Sequence, residues 1–376
     1  MLHALAVFAF VLWLLAFIQT LVNLRVMPRL NADLSPRNTP LVSIVIPARD
    51  EAHIIERTAR AFLAQDYANI EVIVVNDRSK DATADILRGI GDPRLSVIDG
   101  VEPAPGWLGK TWALQQGSAR ARGELLLFVD ADLIYAPSAI RGAVAELENS
   151  GAAMLTLLPH FEMKTFGEQV GMPMLAFFVF SGMPLWYSNR SKAVRLALGG
   201  GSGNLIRHDA FKSIGGFQAL QGAVVDDVGL ARLARQHGYA TRAVRAENFL
   251  SVRMYDGARA VVDGFTKNSF PIMNRSYLMA GFAIALTVIL HLFPYGFALT
   301  GDWAAIGCVV LITMTRIVIF RSFHYRLANA LFLHPLMVTL WAWIMLRSVW
   351  ITGIRNQIRW RGRTYDATET HFGAHR

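Results

Sequence analysis

Asp130 and Asp132 stand one residue apart at the end of LLLFVDAD (125–132). Two carboxylates at i and i+2 converge on one hard cation if the chain turns between them. Such a cation takes oxygen ligands, and Mg²⁺ in particular shares its shell with substrate phosphates. A DxD by itself is more often a strand followed by a solvated turn. Here acidic residues recur where a strand pattern stops: Asp50-Glu51, Asp77, and Asp226-Asp227 just before a helical pattern. Open α/β sheets bind ligands beyond the carboxyl ends of their strands, so carboxylates on three separate strand ends predict one shared crevice.

The elements that must position these residues follow from periodicity. Leu125–Val129 is an unbroken apolar run, as expected of a strand covered on both faces of a parallel sheet. VSIVIPARDE (42–51) reads as a buried strand ending at Pro47, and IEVIVVNDRSKD (70–81) as a second ending at Asn76-Asp77. A third, short strand is predicted over Leu95–Ile98, with helices over 52–65, 81–88 and 111–122. Alternation of this kind implies a mostly parallel sheet with right-handed crossovers, a Rossmann-like α/β domain.

The rest of the chain is unlike a soluble protein. Of 376 residues 53% are hydrophobic and 17% charged, where soluble domains carry nearer a quarter charged. Leu2–Val22 is apolar and long enough to span a bilayer. No Lys or Arg precedes it and no small-x-small site ends it, so an anchor is expected rather than a cleaved signal. Arg25, Arg29 and Arg37 follow, which puts the amino terminus outside and the next domain in the cytosol. Tyr277–Leu299, Trp303–Phe320 and Leu327–Ile351 are further apolar segments, and a basic tail carries Arg355, Arg359, Arg361 and Arg363. Three crossings from the cytosol would leave that tail outside, against its charge, so one re-entrant or interfacial segment and a cytosolic tail are expected. Phe166–Trp186, rich in Met and Phe, reads as a helix on the membrane surface or lining a lipid groove, with a buried core helix as the alternative. Cys308 is the single cysteine, which excludes an intrachain disulfide. The net charge of +9 then points to lipid headgroups and a nucleotide diphosphate, not nucleic acid.

Taken together, VSIVIPARDE, VVNDRSKDAT (74–83), the DAD at 130–132 and the DD at 226–227 resemble the family 2 glycosyltransferases of the GT-A fold, over roughly residues 41–265. PGWLGKTWA (105–113), the flanking membrane segments and WRGRTY (360–365) resemble the hopene-associated glycosyltransferases within it, relatives of which glycosylate carotenoid acids and ceramide. The resemblance implies an anchor over 1–24, a GT-A domain over 40–265, membrane segments over 277–352 and a basic tail over 353–376. It further implies that Pro47, Ala48 and Glu51 line the nucleotide pocket, that Asp77 contacts the uracil or ribose, and that Lys110 serves donor binding. Asp130 would lie near the ribose and sugar and share a Mg²⁺ or Mn²⁺ ion with Asp132. Asp227 aligns with the general base. Asp226 stands where the family usually has Glu.

Elementary chemistry agrees. Transfer from a nucleotide diphosphate needs the departing phosphate neutralised, which a divalent cation does as a Lewis acid. It needs the acceptor hydroxyl deprotonated, which a positioned carboxylate does. One displacement with one base inverts the anomeric centre. A free aspartate has a pKa of about 4, so the base must draw strength from burial or from an oxocarbenium-like transition state. The expected enzyme is a membrane-bound inverting hexosyltransferase of the inner membrane. It would move a sugar from a UDP-sugar to a lipid or isoprenoid acceptor, with polyprenyl phosphate as the second acceptor class and a noncatalytic scaffold as the reading from another class.

Other motifs carry less. GWLGKT (106–111) lacks the first glycine of a phosphate-binding P-loop, since position 104 is alanine. GGGSGN (199–204) is either a flexible turn or a loop that lets backbone approach donor or acceptor. His160, His208 and His237 have no metal-ligand spacing. The QxxRW motif of processive polysaccharide synthases is missing between Asp227 and Asn274, and QIRW (357–360) comes too late, which counts against a polymer-making enzyme.

Overall fold

The computed structural model describes residues 1–360 and 363–366, with side chains as far as Gln357. The tail motif at 360–365 and the arginines beyond Gln357 therefore fall wholly or partly outside the described residues. The chain divides into two compact units.

The sheet unit comprises Met27–Glu162 and Tyr187–Met254. Its strands are β1 (Val42–Ala48), β2 (Ile70–Asn76), β3 (Leu95–Asp99), β4 (Leu125–Phe128), β5 (Leu133–Tyr135), β6 (Met154–Leu158), β7 (His160–Phe161), β8 (Asn204–Arg207), β9 (Thr241–Arg245) and β10 (Leu250–Val252). Among the described residues, seven of them form one sheet in the order β3-β2-β1-β4-β8-β6-β9. Pairing is parallel except around β8, which runs against both β4 and β6. β1, β2 and β4 are buried along almost their whole length, so the apolar runs are the core itself. In register, Val45 lies opposite Ile73 and Phe128, and Ala48 opposite Asn76. The residues following all three strands thus emerge at one edge of the sheet. The predicted strands and order of elements are observed. The first helix is shorter than expected, Ile55–Leu63, because Glu51 turns the chain: its carbonyl accepts from Ile54 and Ile55 N–H, both at about 3 Å.

At the opposite edge a buried carboxylate ties three segments. Glu71 accepts from Ser43 Oγ at 2.6 Å, from Arg122 N–H at 2.8 Å and from the Arg122 guanidinium at 2.9 Å. Burial alone would raise its pKa, but these bonds together outweigh burial and hold it below 4.5.

The helix unit comprises Met1–Val26, Met163–Trp186 and the chain from Tyr255 onward. Among the described residues it holds four helices long and apolar enough to cross a membrane: α1 (Leu2–Val26), α2 (Tyr277–Ala298), α3 (Trp303–Ser322) and α4 (His334–Ile354). α1 and α3 run side by side in the same direction. His3 meets Asp302 at 2.6 Å and Cys308 Sγ faces the Ala6 carbonyl. At the other end, Asn23 donates to the carbonyls of Phe180 and Met183, and Phe180 packs on Phe323. α2 runs against α3 across the tight turn at 299–302. After α3 the chain doubles back: the Arg316 guanidinium donates to the carbonyls of Asn329 and Ala330, in a short separate helix, Leu327–Phe332. The third C-terminal apolar segment is thus two helices, not one. α4 starts partway along α2, where His334 stacks on His291 and Tyr295, and it ends with Gly353 against Phe270 and Tyr277.

Phe166–Trp186 is not one helix either. It breaks into Phe166–Gly171, closed by a Thr165–Glu168 capping box, and Pro173–Gly182. Met174, Phe177 and Phe180 are buried within the helix unit, as the core-helix alternative expects.

Glu71→Gln should lower stability at pH 7 by about 1–3 kcal/mol, the range for hydrogen bonds to a charged group. The folded pKa lies below the unfolded one. The contribution is therefore present above pH 4.5 and lost as the pH falls through the folded value. Unfolding midpoints in detergent at pH 7 and below pH 4 test this. A wild-type–variant gap that stays constant with pH rejects it.

Candidate active site

The strand ends collect most of the expected residues. Lys110 is the second residue of the Gly109–Ser118 helix, whose start is held by Trp107, buried against Trp112, and by Gln221 donating to the Pro105 carbonyl. Its ammonium lies 2.7 Å from Asp130 Oδ1 and 3.2 Å from Asp226 Oδ1. Asp226 and Asp227 open the Asp226–Gln236 helix, where carboxylates suit the helix dipole. These residues line a shallow cleft open to solvent, with Phe128, Gly200, Gly201, Asn204, Phe217 and Leu230 around them.

The electrostatics follow from burial. The Asp226 side chain is 10% exposed and that of Lys110 15%. Burial, aided by the charges of Asp227 and Asp130 and opposed by Lys110, pushes the Asp226 carboxyl up to about 6. Burial would lower the Lys110 ammonium, but Asp130, Asp226 and Asp227 outweigh it and hold Lys110 above its ordinary value. Lys110 therefore keeps its positive charge, and the Asp226 carboxyl gives up its charge at a higher pH than an ordinary aspartate.

The glycine-rich segment takes a role that its composition only half suggested. Its backbone approaches the carboxylate-bearing residues themselves. The Gly201 carbonyl accepts from Asp130 N–H at 2.8 Å, and a Cβ built on Gly201 would come within 2.2 Å of Asp130 Oδ2. One on Gly199 would come within 2.1 Å of the Asp227 carbonyl oxygen. Asn204, the last residue of that segment and the first of β8, donates to the same Asp227 carbonyl at 3.2 Å and meets Thr156 Oγ1 at 2.9 Å. Tyr135 Oη donates to the Ser202 carbonyl at 2.6 Å. Asn204 and Tyr135 were not singled out by the sequence. The trailing asparagine of GGGSGN was the available signal for the first, and nothing local marks the second.

A second group lies at the ends of β1 and β2. Pro47 and Ala48 close β1, and Asp77 N–H donates to the Ala48 carbonyl at 2.8 Å. The Asp77 carboxylate, almost fully buried, has Arg49 at 3.5 Å and Arg78 at 3.4 Å. Glu51 is buried and its N–H donates to Thr83 Oγ1. Asp50 sits at φ 55°, its N–H on Ser79 Oγ and its carboxylate receiving Lys80 N–H. Arg49 and Arg78 belong to the same two motifs as Asp50 and Asp77, and both turn their guanidinium groups to the Asp77 carboxylate. Asp132 is half-buried in the turn before β5 and is not among the residues lining the cleft.

Among the described residues no three His, Cys, Asp or Glu side chains are grouped so as to hold a metal ion by themselves. Asp130 and Asp132 offer hard oxygens of the type Mg²⁺ and Mn²⁺ take. Donors of this type hold an ion together with the phosphates of a bound substrate and water.

Residues 43–215 match the family model described as Glycosyl transferase family 2. These residues form a family 2 glycosyltransferase domain. The chain is similar to the 4,4'-diaponeurosporenoate glycosyltransferases of Staphylococcus aureus. It is 24% identical to that of strain MRSA252 over 348 residues, spanning 88% of this chain and 90% of that one. It is 23% identical to that of strain USA300 over 356 residues. Among solved structures it resembles the mannosyltransferase PcManGT from Pyrobaculum calidifontis, determined in complex with GDP-Man and Mn²⁺. That likeness has a TM-score of 0.57 at 18% identity and covers 94% of this chain and 99% of that one, which speaks to the fold. The chain is a glycosyltransferase with a GT-A-type sheet and helices apolar enough to span a membrane.

Gly199 and Gly201 separate fold from chemistry. Gly199→Ala must move backbone and should lower the unfolding midpoint by several degrees. Gly201→Ala meets only the movable end of Asp130; it should leave the midpoint within about 2 °C and cut transfer about 10–100-fold by misplacing that carboxylate. Equal unfolding midpoints and equal activities for both variants would reject the assignment.

Proposed function

We propose that this glycosyltransferase transfers a hexose, with inversion, from a nucleotide diphosphate sugar to a lipid acceptor of isoprenoid type. The observation carrying the proposal is the cleft in which Asp130, Asp226, Asp227 and Lys110 converge beside strand ends bearing Asp77 and Glu51. Pro47, Ala48, Glu51 and Asp77 form the nucleotide end, with Arg49 and Arg78 holding the Asp77 carboxylate. Asp130 and Asp132 would hold Mg²⁺ or Mn²⁺, which when bound neutralises the departing diphosphate. Asp227 accepts the proton of the acceptor hydroxyl, and the helix start and Asn204 fix its backbone. Asp226 beside it is a carboxylate at pH 7 and gives up its charge as the pH falls through about 6, which lowers the negative charge of the cleft on the acid side of neutrality.

The acceptor class draws on the relatives named for a carotenoid acid and on the apolar helix unit. A hopanoid hydroxyl and a carotenoid carboxyl are the two isoprenoid acceptors to test first, with polyprenyl phosphate third. The donor is expected to be a UDP-sugar. In membranes supplied with labelled UDP- and GDP-sugars and an isoprenoid lipid extract, label should enter the lipid phase from one donor. Chelation of divalent cations should abolish this, and Asp227→Asn should lower it by at least about 100-fold, as loss of a general base does. If Asp227→Asn transfers as well as wild type, Asp227 is not the base. If neither transfers from any donor, the noncatalytic scaffold moves ahead.

The same reading places the enzyme in the inner membrane with its catalytic domain cytosolic, crossing three times and re-entering once. Support comes from helix direction. The Val26, Tyr277, Ser322 and Ile354 ends share one side of the helix unit, and α4 starts inside the bundle rather than at the far side. Arg25, Arg275, Arg321, Arg347 and Arg355 stand near those ends, while Met1–His3 and 299–302 hold no Lys or Arg. The positive-inside tendency and the basic tail then agree. In a Cys308→Ala background, Thr300→Cys should react with a membrane-impermeant maleimide in intact cells, and Gln357→Cys only after permeabilisation. Labelling of both from outside would mean that α4 crosses.

A further inference from the structure

Lys110 is assigned by resemblance to donor binding, yet the partners in reach of its ammonium are protein carboxylates. It lies at 2.7 Å from Asp130, on the donor side of the cleft, and at 3.2 Å from Asp226, on the acceptor side. Among the described residues lining the cleft it is the one cation, facing Asp130, Asp226 and Asp227. Asp130 comes two residues after the end of β4 and its N–H donates to the Gly201 carbonyl, while Asp226 opens a helix that reaches the cleft from another part of the chain.

We propose that Lys110 is a positioning residue that ties Asp130 to Asp226 and so sets the spacing between the donor and acceptor sides of the cleft. Three carboxylates without a counter-ion repel one another in a partly buried space, and the widest movement open to them is separation of the β4 end from the helix start. A lysine suits the task because a compact ammonium on a flexible stem serves two acceptors that are not coplanar. A guanidinium prefers one carboxylate bidentately. The anchored Pro105–Leu108 stretch and the helix that follows hold the stem in place.

The inference rests on the transfer reading for its kinetic arm only. In that arm, Lys110→Met should lower kcat by at least about 30-fold. Affinity for UDP or GDP measured calorimetrically in the presence of Mn²⁺ should stay within about threefold of wild type. Lys110→Arg should recover part of kcat. A fall in nucleotide affinity that accounts for the lost activity would overturn the proposal and return Lys110 to donor binding. The second arm is a thermal-unfolding cycle on the full chain in detergent at pH 7.5, without substrate. Lys110→Met alone should lower the midpoint, and adding Asp226→Asn should raise it again, because one of the uncompensated carboxylates is removed. Losses that simply add would show that Lys110 and Asp226 do not act through each other, which also overturns the proposal. This arm stands whether or not the transfer reading holds.

Discussion

Much of this structure answers to one constraint: acidic side chains must be brought close together, partly out of water, without tearing the site apart. Charged groups lose solvation on burial and like charges repel, so such a group persists only with compensation. Three devices supply it here. One ammonium lies between Asp130 and Asp226. The first turn of a helix carries Asp226 and Asp227 where its dipole favours negative charge. Burial then lets Asp226 shed its charge near pH 6. The ends of β1 and β2 repeat the solution with different residues, Arg49 and Arg78 around Asp77.

Positioning these groups needs two kinds of strand. β1, β2 and β4 run parallel, fully buried, and deliver their carboxyl ends to one edge of the sheet. β8 runs the other way between β4 and β6, so the segment entering it, Gly199–Asn204, arrives at that same edge. The reversal brings a backbone with no side chains against Asp130 and Asp227. Glycine is required there because of that approach, since Gly199 and Gly201 themselves have ordinary φ values.

The helix unit obeys a different solvent. Several of its polar groups pair within it: Trp13 donates to the Leu290 carbonyl, Arg316 to those of Asn329 and Ala330, and the Glu168 carboxylate receives Gly257 N–H. This is what a bundle with an apolar exterior requires, because no water is available at depth to complete an open hydrogen bond. Leu14, Leu15, Phe282, Trp303 and Leu346 face outward instead.

The amino-acid sequence alone determined the first strands and the apolar character of the spans. Unbroken Ile/Val/Leu runs with acidic ends can only be buried parallel strands, so β1, β2, β4 and the residues at their ends were legible, as were the apolar spans. Periodicity and composition are local properties, and those elements depend on little else. The pairing of Lys110 with Asp226, of Arg49 with Asp77, and of Gly201 with Asp130 was decided only by tertiary structure. Each joins residues whose meeting is set by sheet order and by the reversal at β8, over sequence separations of 28 to 116 in the contacts that tie these segments. The same holds for α4. By length and hydropathy it is a crossing helix, and only its stacking on His291 and Tyr295, partway along α2, reveals where it begins. Hydropathy reports the solvent a helix prefers, whereas its depth and direction are set by the neighbours it packs against.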